Sequence, residues 1–79
     1  MVSQARRKIV GTKQTLKALE REEAVMVLLA GDADEKISAP VEALAADKGI
    51  EIAHVETMSS LGRICGIKVK AAAAAIIEF

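Results

Sequence analysis

Two uninterrupted apolar runs dominate the chain: Ala24 to Ala30, "AVMVLLA", and Ala71 to Ile77, each of seven residues. The first has the length of a strand covered on both faces, as in a sheet flanked by helices. The second is ambiguous. Its five consecutive alanines favour a helix by propensity, while Ile76-Ile77 and the length suit a last strand; a central place in a sheet would overrule propensity. Between the runs, Ile37, Val41, Leu44 and Ala45 follow the 0, 4, 7, 8 spacing of a buried helical stripe. Ser38 would cap that helix, Pro40 would be its second residue, and Gly49 would stop it after Lys48. Upstream, Lys13 to about Glu22 are strong helix formers with Leu16 and Leu19 on one face, and Thr12 would be the N-cap. Ser3 to Lys8 reads as a short polar helix, with Ala5 and Ile9 on one side, interrupted by Val10-Gly11. "GDADEK" supplies a turn, and Ile50 to Val55 has strand length. "ETMSSLGRICG" gives a short helix capped by Thr57 and ended at Gly66. Helix, helix, strand, helix, strand, helix, strand is an alternation that predicts an α/β fold, a three-layer α/β/α sandwich. No repeat or linker interrupts it.

Composition narrows the class. A chain of 79 residues is read as one domain over 1–79, burying only roughly 60% of its unfolded surface. With 52% apolar residues and a single aromatic, the core must come from Val, Ile, Leu, Ala and Met. Disorder is excluded by that apolar content and a zero net charge. No apolar run approaches a membrane span, and the opening residues hold no signal-like stretch. One cysteine, Cys65, forbids an internal disulfide and suggests no zinc site, so a cytoplasmic protein is expected. The neutral total hides a polarised distribution. Residues 1–21 carry six Lys/Arg against one acid, residues 22–56 two against nine, and residues 57–79 three against one. One folded face could therefore be positive.

Enzyme chemistry finds little support. Asp32, Asp34 and Glu35 form a turn without a nearby histidine or cysteine, and they fit turn and cap roles better than a metal cage. His54 stands alone in a strand pattern and reads as a packed or surface residue. Cys65 has no evident base, so a small buried hydrophobe is the better reading. "GTKQT" is like the end of a phosphate-binding P-loop, but the first glycine that motif needs falls at Arg6.

Two segments remain. The first is Gly11 to Lys17. A helix start exposes free N–H groups and partial positive charge, and Gly11 lets another backbone approach. Gln14 offers a donor and an acceptor, enough to read a base edge, while Lys13 and Lys17 supply charge for phosphate. Lysine in a first turn is opposed by the helix dipole by roughly 0.3–1 kcal/mol, and an external anion would reverse that sign. Solvated lysines beside an ordinary loop glycine are an equally good account of these residues alone. The second segment is "LGRICGIKVK". Ile67 and Val69 alternate with Lys68 and Lys70, giving an apolar and a cationic side to one extended loop. A base could pack on the aliphatic side, although an ordinary strand entry explains the same residues. With Phe79 the only aromatic, base stacking on a sheet of Phe and Tyr is excluded. An RNA ligand would have to be recognised by shape, through a helix end and a loop.

Together these segments are recognisable. "GTKQTLKALE", "VMVLLAGDAD" and "ALAADKGIEIAHVETMSSLGRICGIKVKAAAAAII" resemble the kink-turn RNA-binding ribosomal protein family of the L-seven-Ae and L-thirty-e type, in its short bacterial YbxF-like branch. The resemblance covers nearly the whole chain and implies an α/β/α sandwich with a mixed four-stranded sheet, making Lys70 to Ile77 a strand. It further implies that the helix start and the loop clamp a bent duplex with tandem sheared G·A pairs. Gly11 would lie against the RNA backbone, and Thr12 next to it is counted among the RNA-binding residues. Lys13 and Gln14 stand where the family usually has Asn and Glu, which contact guanine edges. Lys17 and Arg21 would meet phosphates, Ile67, Lys68 and Val69 would pack over the protruding nucleotide, and Asp34 would lie near that nucleotide. Gln for Glu removes a carboxylate able to accept two guanine N–H bonds, and charge-assisted bonds are roughly twice as strong as neutral ones. The expected partner is structured RNA, a kink-turn, with ribosomal RNA and the ribosome as candidates. No cofactor, metal, membrane or DNA partner is expected, and the chain is read as a monomer. The alternative is a protein-interaction module of the same fold, making its contact through the acidic middle, Glu22 to Glu56.

Overall fold

In the computed structural model, which describes residues 7–78, the alanine run is a strand. It is placed third in a four-stranded sheet, counting from the parallel edge. In chain order the elements are β1 (Arg7–Val10), α1 (Thr12–Glu20), β2 (Met26–Ala30), α2 (Glu35–Lys48), β3 (Ile52–Val55), α3 (Met58–Ile64) and β4 (Ala73–Glu78). The sheet order is β1-β4-β2-β3. β4 runs antiparallel to both its neighbours, and β2 and β3 are parallel. Helix propensity therefore loses at β4, where the sheet takes up the backbone hydrogen bonds on both sides and helices cover both faces. Ala73, Ala74, Ala75 and Ile76 are each fully buried.

Side chains alternate across the sheet as strand geometry requires. On one face, Val27, Leu29, Ala73 and Ala75 pack with Ala18 and Leu19 of α1 and Val41 and Ala45 of α2. On the other, Leu28, Ala30, Ala74 and Ile76 pack with Leu61 and Cys65 at α3. This is the three-layer α/β/α sandwich with a mixed four-stranded sheet that the pattern and the resemblance led us to expect. Because β4 presents mostly methyl groups, large side chains of β2 and the helices fill the space against it.

Several local expectations are corrected. Arg7 and Lys8 open β1 instead of closing a helix; residues 3–6 of that expected helix lie outside the described residues. Gly11, not Thr12, holds the N-cap position of α1, because Gly11 adopts φ 116 and its carbonyl already accepts bonds from Thr15. Ser38 does not cap α2. Asp34 does: its side chain accepts from the Lys36 amide at 2.9 Å, and its carbonyl takes the Ile37 and Ser38 amides at 2.8 and 3.0 Å. The helix thus starts a turn earlier and Pro40 lies inside it, where it lacks the amide that would have bonded the Lys36 carbonyl. Ile37, in that first turn, is 37% exposed and drops out of the buried stripe. Gly49 ends α2 in the left-handed conformation and Thr57 caps α3, both as expected.

The strand directions gather several segments at one end of the sheet. The C-terminal ends of β1, β2 and β3 meet the N-terminal end of β4 there, through the pairs Val10↔Ala74, Leu29↔Ala73 and Ala30↔Val55. From that end depart α1, the 31–34 turn into α2, and residues 56–57 into α3, while residues 66–72 return to β4.

Candidate nucleic-acid interface

Gly11 is the only residue between β1 and α1. Its φ of 116 lies where side-chained residues are rarely found, so the abrupt strand-to-helix turn needs glycine. Its amide donates to the Ala73 carbonyl at 2.9 Å, and its carbonyl accepts from the Thr15 amide at 2.9 Å and the Thr15 hydroxyl at 2.7 Å. Thr15, fully buried, locks the first turn from inside. Among the described residues no side chain caps this helix, and its first turn holds no acid, whereas α2 and α3 are capped by Asp34 and Thr57. The free amides at the start of α1 and its dipole therefore face outward beside exposed Lys13 and Gln14.

The loop at residues 66–72 is strapped to α3 rather than hanging free. The Ile67 amide donates to the Gly62 carbonyl at 3.0 Å and the Ala71 amide to the Met58 carbonyl at 3.1 Å. Between these straps the Val69 carbonyl presses against Gly62, where a Cβ would collide with it. A bend at Lys68-Val69 replaces the simple alternation expected of this segment. Ile67 packs on the α3-side core, and Val69 is turned outward with 69% of its surface exposed. Lys68 and Lys70 are exposed with it.

The Gly11–Ala73 bond joins the two segments: the amide that opens α1 is held by the first residue of the strand that follows the loop. Gly11, Thr12, Lys13 and Gln14 thus share one end of the sheet with Ile67, Lys68 and Val69. Lys17 lies one turn along α1 from Lys13. Arg21 is the C-cap of α1, nine positions after Thr12 and so about 13 Å along the axis; it belongs to the flank of the site. Gln14, Lys17 and Arg21 border one shallow depression against Ile9. Asp34 is at the same end, but one of its oxygens is occupied in capping α2. Asp32 is similarly engaged, accepting from the Met58 amide at 2.8 Å, so two carboxylates of the acidic turn neutralise helix starts.

The pattern reading missed the packing role of Gly62, and it gave Asp32 a turn or cap role without its partner, the Met58 amide. A glycine inside a helical segment was a visible signal for the first, while the second joins residues 26 apart and leaves no local trace. Cys65 is buried, and loss of solvation raises its thiol pKa above the ordinary value while Lys8 pulls weakly the other way; this is no activated nucleophile. His54 is exposed on edge strand β3. Among the described residues, no cluster of His, Cys, Asp and Glu could hold a metal ion, and no helix is long and apolar enough to cross a membrane.

These features define a small mixed-sheet α/β/α domain whose uncapped, cationic helix start is tied to a strapped loop. The chain belongs to the Ribosomal protein L7Ae/L30e/S12e/Gadd45 family, whose model matches residues 1–79. It is 50% identical over 76 residues to an RNA-binding protein of Bacillus pumilus, covering 96% of this chain and 93% of that one. It is 43% identical over 77 residues to the RNA-binding protein YbxF of Geobacillus stearothermophilus, covering 98% and 94%. The solved 15.5kD RNA binding protein of Giardia lamblia superposes with a TM-score of 0.84 at 30% identity, covering 96% of this chain and 62% of that one.

Proposed function

We propose that the protein is a non-catalytic RNA-binding module that grips kink-turn RNA between the start of α1 and the 66–72 loop. The observation that carries this reading is the Gly11–Ala73 hydrogen bond of 2.9 Å, which fixes an electropositive helix end beside that loop. Relatives described as RNA-binding proteins cover nearly the full chain, which supports RNA as the partner. Gly11, lacking a side chain, would admit the RNA backbone, with Thr12 beside it. Lys13 and Gln14 would face base edges in the groove opened by the kink, and Lys17 and Arg21 would neutralise phosphates further along one arm. Ile67, Lys68 and Val69 would cover the protruding nucleotide, to which Asp34 offers its remaining carboxylate oxygen. Gln14 presents only one acceptor oxygen to sheared G·A pairs, so discrimination rests on shape and charge more than on carboxylate bonds. The cytoplasm, and RNA of the ribosome or a structured regulatory transcript, are the proposed setting.

A gel-shift titration of a kink-turn and its G·A-disrupted mutant tests the reading. Tighter binding to the kink-turn is expected; equal affinity would remove the specificity claim. Salt separates this reading from protein docking. Binding through several phosphates should weaken steeply with rising salt, which an apolar protein contact would not do.

A further inference from the structure

Beside the proposed kink contact a groove continues between the exposed side of α3 and the 67–70 segment, and its α3 side has no role in that contact. It is lined by Ser59, Arg63, Ile67, Lys68, Val69 and Lys70. We propose that this groove is a second seat for RNA, taking the phosphate backbone of a strand that continues past the kink; the inference rests on the RNA-binding reading above. Three of its lining side chains are cationic, one is a hydroxyl donor, and none is a carboxylate. That composition complements a phosphodiester chain, with donors for its oxygens and charge for its anions. Ser59 and Arg63 are both exposed and four residues apart on a helix, so they present one edge of the groove together. The opposite edge is set by the two backbone straps and by the Val69 carbonyl resting on Gly62, so the groove is preformed. Val69, 69% exposed, gives this cationic channel an apolar lip against which a sugar can pack. The groove shares Ile67, Lys68 and Val69 with the kink contact, so RNA held there has its flanking strand within reach.

Anisotropy titrations with wild-type protein and the Ser59→Ala/Arg63→Ala double variant test this, since both residues lie on α3 and neither belongs to the kink contact. The probes are a minimal kink-turn with short stems and two versions in which one or other stem is lengthened. Wild type is expected to bind one lengthened RNA roughly tenfold more tightly than the minimal one at low salt. The double variant should lose that gain while binding the minimal RNA within about twofold of wild type, which also verifies its fold. Its salt slope on the lengthened RNA should fall by about 0.9, for the one cationic phosphate contact removed. Equal wild-type affinity for short and long RNAs would overturn the second seat. So would a variant that weakens on all RNAs alike. Failure of the underlying reading appears separately, as equal affinity for kinked and G·A-disrupted minimal RNAs.

Discussion

Replacing Gly62 by alanine should destabilise the protein and loosen its proposed RNA grip together. Gly62 is buried within α3, and a methyl group there would meet the Val69 carbonyl oxygen, with the Val69 carbonyl carbon at 3.2 Å and the Lys70 Cα at 3.5 Å. All three are backbone atoms, so no rotamer change relieves the collision and the loop itself must move. Overpacking of this kind costs about 1–3 kcal/mol, and losing the Ile67–Gly62 strap adds about 0.5–1.5 kcal/mol. Against this stands a helix-propensity gain of about 1 kcal/mol for alanine over glycine. A net loss of about 0.5–3.5 kcal/mol lowers Tm by about 4–8 °C per kcal/mol in a domain of this size. The sign carries the argument, because without the close approach the same substitution would stabilise by propensity alone. Thermal melting followed by circular dichroism reads the stability, and kink-turn titration reads the loop. Val41→Ala serves as a control: Val41 is buried on the opposite face of the sheet, and its truncation costs on the order of 1–3 kcal/mol without touching the loop. Gly62→Ala should weaken RNA binding well beyond Val41→Ala. An unchanged or raised Tm for Gly62→Ala would refute the reasoning.

Lys17→Ala should weaken binding to every RNA and reduce the salt slope by about one contact, whereas Gln14→Ala should narrow the gap between kinked and G·A-disrupted RNA; a gap left untouched would remove Gln14 from base reading. The raised thiol pKa of Cys65 means the folded state holds that proton more tightly than the unfolded chain. Its contribution is therefore complete at neutral pH and is lost as pH climbs from the ordinary thiol value of 9.0 through the higher folded one. Urea midpoints should fall more steeply above that value in the wild type than in Cys65→Ala, and native Cys65 should react with iodoacetamide more slowly than a free thiol.

Periodicity and run length made the layered fold legible, since β2 stands out as an unbroken apolar run and α2 as a stripe. The β4 run reads equally well as a helix, and only its central place in the sheet decides for a strand. What the pattern misread was β1, whose first residues scan as the end of a polar helix. Four residues, "RKIV", show no alternation of their own and become a strand only because β4 offers them an edge. The displaced cap of α2 has a similar origin. Ser38 and Asp34 both satisfy the local preference for a cap, and Asp34 wins because β2 ends at Ala30 and the short turn places it first. For the candidate site, the two segments could be singled out from charge, glycine and helix polarity. Their proximity could not, because it depends on β1 and β4 pairing across more than sixty positions of chain, with Val10 opposite Ala74. The bend that turns Val69 outward was equally hidden, as it follows from Gly62 drawing the Val69 carbonyl toward α3.

The hydrogen bond between Gly11 and Ala73 has a mechanical meaning. Both jaws are suspended from the first residue of one strand, one through that bond and the other through the chain itself. Whatever slides, tilts or breathes elsewhere in the sheet carries them along as a pair, so the gap between them stays set like the opening of a fixed spanner.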